Sequence, residues 1–223
     1  MKIQYLGHSA FYVETSEMKA LIDPFITEEI RQPNFREEEI THIFLTHGHG
    51  DHLGSTIDIA KKSSATVICN HEMGIYLKKQ GINCHTMHIG GRVTLDFATI
   101  KMTPALHGSG IETEEGIIYG GNPCGFVIKS GNKKLYHAGD TGLTLDMQLL
   151  AVEEIDLALI PIGGNFTMDI TDAVRAVDFI KPKKVIPMHY NTFPIITASP
   201  ETFKSKVSDV DVKILEIGEV YQV

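Results

Sequence analysis

The chain has no surplus of positive charge. Its 20 lysines and arginines stand against 28 aspartates and glutamates, for a formal net charge of −8. A general nucleic-acid-binding surface would be basic, so the balance speaks against that class, although bound dications would make a pocket locally positive. Cysteine is scarce: Cys69, Cys84 and Cys124 form an odd set without regular spacing. That is no disulfide framework, and it points to a reducing compartment. Each reads as a small buried hydrophobe; for Cys124 alone, in a Gly/Pro-rich loop, lining a site is the lesser alternative. No apolar run approaches the length of a membrane span. Strand-like alternation begins at Met1-Lys2-Ile3 with no charged-then-apolar leader, so the expected location is cytoplasmic, with no membrane association. Linker-like and low-complexity stretches are missing too. With 223 residues, of which 43% are hydrophobic and 22% charged, the expectation is one domain over 1–223 whose core needs no staple.

What the sequence does have is histidine in one place. Thr41-His42-Ile43-Phe44-Leu45 reads as a strand that delivers Thr46-His47-Gly48-His49-Gly50-Asp51-His52 as a tight polar loop. Neutral imidazole and carboxylate suit Zn²⁺, Mn²⁺ or Fe²⁺. Gly48 and Gly50 let the backbone turn sharply enough for alternate side chains to converge.

The rest of the chain reads as strands and helices in a repeated order. A meander over 2–6, 10–14 and 19–23 is closed by Asp23-Pro24-Phe25, where proline cannot continue a ladder. A polar stretch follows over 26–40. Helical spacing predicts helices over 53–62 and 72–79, the second stopped by Gly81, with a strand over 65–69 between them. His71, His85 and His88 fall in or near connections and read as structural or exposed. Strands are expected over 92–97 and 99–105, then a glycine-rich loop over 108–123 of the length expected of a lid or binding loop. A hairpin over 125–129 and 133–137 follows, then a helix over 143–152 and a buried strand over 156–161. Thr171 is read as the cap of a helix with Val174, Val177 and Ile180 on its apolar face. A buried strand over 183–188, a helix over 201–207 and strands over 212–217 and 219–222 finish the chain. This order suggests an α/β fold of two similar halves, each a mixed sheet with helices outside, packed sheet to sheet. Four strands end in His or Asp beside glycine or a polar turn, at His47, His107, Asp140 and His189. His137 is expected to pack beside its strand neighbours.

Taken together, these residues resemble the metallo-β-lactamase superfamily, and within it the small cytoplasmic metal-dependent hydrolases related to ascorbate-phosphate lactonase. The resemblance runs nearly end to end. It rests on Gly7-His8-Ser9, Leu21-Ile22-Asp23-Pro24-Phe25, the His-x-His-x-Asp-His run at 47–52, Met87-His88-Ile89-Gly90-Gly91, Tyr136-His137-Ala138-Gly139-Asp140-Thr141, Pro161-Ile162-Gly163-Gly164-Asn165-Phe166 and Pro187-Met188-His189-Tyr190-Asn191-Thr192. It implies a four-layer αβ/βα sandwich and two divalent metal ions per chain, Zn²⁺ or Mn²⁺, with Fe or Ni as further options. His47, His49 and His107 would hold one ion. Asp51, His52 and His189 would hold the other, and Asp140 would bridge both. Asp23 would fix the tautomer of a ligand histidine, and His8, Asn165 and Asn191 would sit near the substrate.

Two such ions about 3.5–4 Å apart can share a water and lower its pKa towards neutrality. The bridging hydroxide is then the expected nucleophile, with Asp51 as the catalytic residue that orients it and carries a proton to the leaving group. No nucleophile-elbow sequence offers a serine in its place. The expected activity is hydrolysis of a small ester, lactone or phosphodiester by a possible homo-oligomer. The competing readings are a nuclease, a di-iron redox protein and a non-catalytic metal-binding protein. A di-iron protein on this scaffold would normally carry Glu in place of His49, which reads against that class.

Overall fold

A computed structural model describes residues 1–26 and 35–223. Of the polar stretch expected over 26–40, positions 27–34 lie outside the described residues. In the first half, β1 (Lys2–Gly7), β2 (Ala10–Glu14) and β3 (Lys19–Ile22) form the antiparallel meander. The parallel strands β4 (His42–Phe44), β5 (Thr66–Asn70) and β6 (Cys84–Met87) extend it. Helices α1 (Gly50–Leu53), α2 (Thr56–Ser63) and α3 (His71–Lys79) fill the connections. The second half repeats the plan. β7 (Arg92–Thr94), β8 (Thr99–Pro104), β11 (Cys124–Ser130) and β12 (Lys133–His137) are antiparallel neighbours, and β13 (Leu157–Pro161), β14 (Lys184–Met188) and β15 (Asp211–Val212) continue in parallel. A separate hairpin, β9 (Gly110–Thr113) and β10 (Gly116–Tyr119), lies between β8 and β11, and α4 (Ile170–Ile180) and α5 (Pro200–Lys206) flank β14 in sequence. The last strand, β16 (Val220–Gln222), returns to β1, with Tyr221 opposite Ile3, so both large sheets have seven strands. The architecture is the expected α/β sandwich.

Period-two alternation explains how the layers separate. On β2, Phe11 and Val13 enter the large core shared with the second sheet, whereas Ala10 and Tyr12 enter a second core under α2 and α3. Phe44 and Ile68 face the first core, and their neighbours Ile43, Val67 and Cys69 the second. A strand covered on both faces reads as a continuous apolar run, and β13, with every residue buried, is one.

Several boundaries differ from the sequence reading. The 108–123 segment is built around the β9–β10 hairpin, because Gly116, in left-handed backbone (φ 119°), shapes its turn rather than loosening the segment. The helix expected over 53–62 is broken at Gly54 (φ 42°), where a Cβ would lie 2.4 Å from the Pro24 carbonyl oxygen. The 143–152 stretch is a 3₁₀ helix, Leu145–Glu153. The cap of α4 is Asp169, whose Oδ1 accepts from Asp172 N at 2.9 Å, and Thr171 sits one position inside the helix. β6 is a strand that the reading placed in a connection; its polar Cys-His-Thr sequence hides it. The strands expected over 92–97 and 212–217 are shorter. Leu95 N turns back to Ala98 O at 2.9 Å, and only Asp211–Val212 pairs with β14.

Gly139 follows β12 in left-handed backbone (φ 64°), and a Cβ there would lie 2.5 Å from Cys124 O and 3.1 Å from Thr46 Cβ. Gly139→Ala is expected to cost about 2–4 kcal/mol of stability, from the backbone and the overpacking together. Urea unfolding at an unchanged m-value measures it, and a loss below about 0.5 kcal/mol would show that the strand end has room.

Candidate metal centre

The predicted donors gather at one edge of the sandwich, beyond the carboxyl ends of strands. His8 follows β1, Asp23 follows β3, the 47–52 run follows β4, Asp140 follows β12 and His189 follows β14, with His107 just past β8. Open α/β sheets place their ligand sites at such ends. The two halves are joined there by the backbone, since His189 N donates to His8 O at 2.8 Å. Three of the positions, His8 (φ 52°), Asp23 (φ 44°) and His189 (φ 55°), hold left-handed backbone that residues with a Cβ rarely adopt.

Asp23 is fully buried and organises its surroundings. Its Oδ1 accepts from Thr46 N at 2.8 Å, and its Oδ2 accepts from Thr46 Oγ1 at 2.6 Å and from His52 Nδ1 at 2.8 Å. Thr46 Oγ1 has one proton, and Asp23 takes it. At 3.0 Å from His47 Nδ1, the same oxygen therefore accepts from that nitrogen. One carboxylate thus puts the first ring proton of His47 and of His52 on Nδ1, so that Nε2 is the atom of each ring left to take a metal ion or a second proton. Thr46 is a positioning residue that the sequence reading missed; its place immediately before His47 was the available signal.

Two donor sets result. His49 Nδ1 stands 3.0 Å from His47 Nε2 and 3.2 Å from His107 Nε2. Nitrogens held by one tetrahedral zinc at about 2.0–2.1 Å would be about 3.3 Å apart, so this set fits an ion. The second set is Asp51, His52 and His189, joined by His8, whose Nε2 lies 3.2 Å from Asp51 Oδ2. Asp140 stands between the sets. Its Oδ1 is 3.3 Å from His52 Nε2, and its Oδ2 is 2.8 Å from His189 Nε2 and 3.6 Å from His107 Nε2. His52 Nε2, Asp140 Oδ1 and His8 Nε2 are buried without a hydrogen-bond partner. Such buried donor atoms are costly alone and are what a cation would satisfy.

The electrostatics agree with that chemistry. Burial, and then the neighbouring His52, hold the His47 imidazole well below its ordinary range. Burial also disfavours charge on His52, but Asp140 and Asp23 outweigh it and raise this imidazole well above its ordinary value. Burial opposes ionisation of Asp140, yet His52 and His189 hold its carboxyl well below the usual range. Asp51 is likewise held down to about 2, where burial is overcome by His8 and His52. The site thus attracts positive charge, whether as a proton on His52 or as a metal cation.

A β-lactamase superfamily domain model matches residues 19–190. The UPF0173 metal-dependent hydrolase of Alkaliphilus metalliredigens (strain QYMF) is 70% identical over 221 residues, covering 99% of each chain. The chain belongs to the UPF0173 metal-dependent hydrolases of the metallo-β-lactamase superfamily. Among solved structures, the metallo hydrolase Igni18 of the archaeon Ignicoccus hospitalis KIN4/I matches this hydrolase with a TM-score of 0.87 at 36% identity, covering 100% of this chain and 98% of that one. The metallo-β-lactamase fold protein YhfI of Bacillus subtilis shares the fold, with a TM-score of 0.78 at 13% identity over 99% of both chains.

Other residues of the hydrolase take different places. His137 is fully buried. Its Nε2 donates to Ser9 O at 2.9 Å, and its Nδ1 accepts from Gly139 N at 3.1 Å. It is a neutral peg between the halves that sets the approach to Asp140, a role beyond the packing expected of it. Cys124 faces Thr46 O with its Sγ at 3.2 Å and does not line the site. Asn191 lines a cavity beside His8, but its Oδ1 accepts from Ala198 N at 2.9 Å and closes a turn. Asn165 lies exposed in left-handed backbone (φ 51°) on the turn after β13 and makes no hydrogen bond to the donor cluster among the described residues. His71 and His88 are exposed and His85 half-buried, and none joins a donor group among the described residues.

Asp23→Asn replaces one acceptor oxygen with an amide and is expected to weaken metal binding about 10–100-fold. Thr46→Val, which removes the hydroxyl linking Asp23 to His47 but leaves Thr46 N and His52 Nδ1 on the carboxylate, is expected to cost less. Competition against a chromophoric chelator measures both, and native affinity in Asp23→Asn would show that the carboxylate does not set the rings. The sign of the pH dependence follows from His52. Its raised imidazole binds a proton that a metal must displace, so apparent affinity climbs with pH until His52 has titrated and then levels off. Metal added to weakly buffered apoprotein at neutral pH should release protons; no release would contradict a protonated His52.

Proposed function

We propose that this hydrolase uses two divalent ions to cleave a small ester, lactone or phosphodiester with water. The observation that carries the reading is Asp140, a buried carboxylate whose oxygens reach toward His52, His189 and His107 and so stand between both donor sets. His47, His49 and His107 would hold one ion, Asp51, His52 and His189 the other, with Asp140 shared. The nitrogen and oxygen donors fit Zn²⁺ or Mn²⁺, and Fe²⁺ and Ni²⁺ also match the donor types. Such ions, when bound, bring the pKa of water towards neutrality and polarise the oxygen of the scissile group.

The chain's own residues then have separate tasks. Asp51 is the donor with an open side, its side chain 30% exposed where those of His52, Asp140 and His189 are at most 3% exposed. Held as a carboxylate by His8 and His52, it orients the attacking water and passes a proton towards the leaving group. His8 steadies Asp51, since Thr192 Oγ1 at 2.9 Å from its Nδ1 fixes the ring from behind. Free thiols at Cys69, Cys84 and Cys124 suit a cytoplasmic setting. No helix among the described residues is long and apolar enough to cross a membrane.

Metal titration of the apoprotein should saturate at two equivalents. His47→Ala and His189→Ala should each retain about one, and both, like Asp140→Ala, should lose at least about 100-fold in turnover, more than an outer-shell change costs. A panel of esters, lactones and phosphodiesters on metal-loaded protein supplies the assay. Saturation at one equivalent, or full turnover in these variants, would refute the dinuclear reading.

A further inference from the structure

Beside the donor cluster the structure holds a cavity of about 570 Å³, within the size range of small-molecule sites. His8 is the partition between the two. Its Nε2 faces Asp51, while its ring meets Phe25 edge-on at 5.7 Å and Phe193 at 5.6 Å, and those two rings lie 6.4 Å apart. Tyr190 and Ile217 continue the apolar wall. Three polar groups of the lining have partners within the chain: Thr192 Oγ1 lies on His8 Nδ1, Tyr5 Oη donates to His8 O at 3.2 Å, and Asn191 Oδ1 accepts from Ala198 N. Among the described lining residues there is no lysine or arginine, and the one carboxylate is Glu216.

We infer that the substrate carries an uncharged apolar arm, aryl or alkyl, that lies in this cavity while its scissile group reaches the donor cluster, and that the cavity rejects an anionic arm. The inference rests on the hydrolase reading above and specifies its substrate class. An apolar arm gains the aromatic faces of Phe25 and Phe193. A phosphate or carboxylate on that arm would find no cation among the described lining residues and would share the cavity with Glu216, which works against its binding. A phosphorylated substrate, one form the ester reading covers, is therefore disfavoured wherever its phosphate would have to occupy this cavity.

The test uses hydroxamic acids, whose common head binds a metal, on the metal-loaded full chain by calorimetry. The probes are acetohydroxamic acid, 3-phenylpropanohydroxamic acid and the latter's 4-carboxy derivative. The phenyl compound is expected to bind at least about 10-fold tighter than the other two, the factor that burial of one aromatic side arm supplies. Phe193→Ala should lose about 10-fold for the phenyl compound and leave acetohydroxamic acid unchanged. Glu216→Gln should narrow the gap between the phenyl and carboxy compounds. Tighter binding of the carboxy compound, or a Phe193→Ala protein that binds the phenyl compound normally, overturns this inference alone. Failure of all three probes to bind in a metal-dependent way overturns the dinuclear reading and this inference with it.

Discussion

The burial of one carboxylate, Asp23, underlies the rest of the site. A carboxyl group in a protein interior is tolerated only when its oxygens are engaged. Here the ends of β3 and β4 and the helix α1 are drawn together to engage it, through Thr46 N, Thr46 Oγ1 and His52 Nδ1. The same bonds decide which nitrogen of each ring carries the proton. The fold is therefore coupled to the chemistry at the level of tautomers, as well as at the level of which residues are near one another.

The second constraint is that the site belongs to neither half alone. The 47–52 run comes from the first sheet, and His107, Asp140 and His189 come from the second. They meet because the two sheets are packed with the same strand ends together, joined by His189 N to His8 O and by His137 to Ser9 O. A small relative slide of the sheets would separate Asp140 from His52. The large shared core, with Phe11, Phe44 and Phe126 on its two sides, resists that slide.

Much of this was legible in the chain. The apolar run into Thr46-His47-Gly48-His49-Gly50-Asp51-His52 marked the site, and glycine or polar turns after strands marked where its partners would arrive. Less legible were features whose cause is not local. β6 reads as a polar connection because its neighbours in the sheet, not its own composition, make it a strand. The 3₁₀ helix at Leu145–Glu153 and the cap at Asp169 are settled by backbone geometry that residue spacing alone does not fix. The expectation of Asn165 and Asn191 near the substrate rests on the resemblance alone; Asn191 lines the cavity beside His8 with its oxygen on Ala198 N, and Asn165 faces solvent. Thr46 escaped notice because a threonine at the end of a strand is ordinary; its role depends on Asp23, which lies 23 residues away in sequence and beside it in space.

The left-handed backbone at His8, Asp23 and His189 has one more consequence. Each costs on the order of 1–2 kcal/mol relative to a residue without a Cβ. Glycine or asparagine at these positions would relax the backbone but remove a donor or an organising acceptor. Pressure for stability and pressure for turnover therefore pull in opposite directions at these positions. A lineage of this fold freed from catalysis would be expected to change first here, at the ends of β1, β3 and β14, while its core stayed as it is.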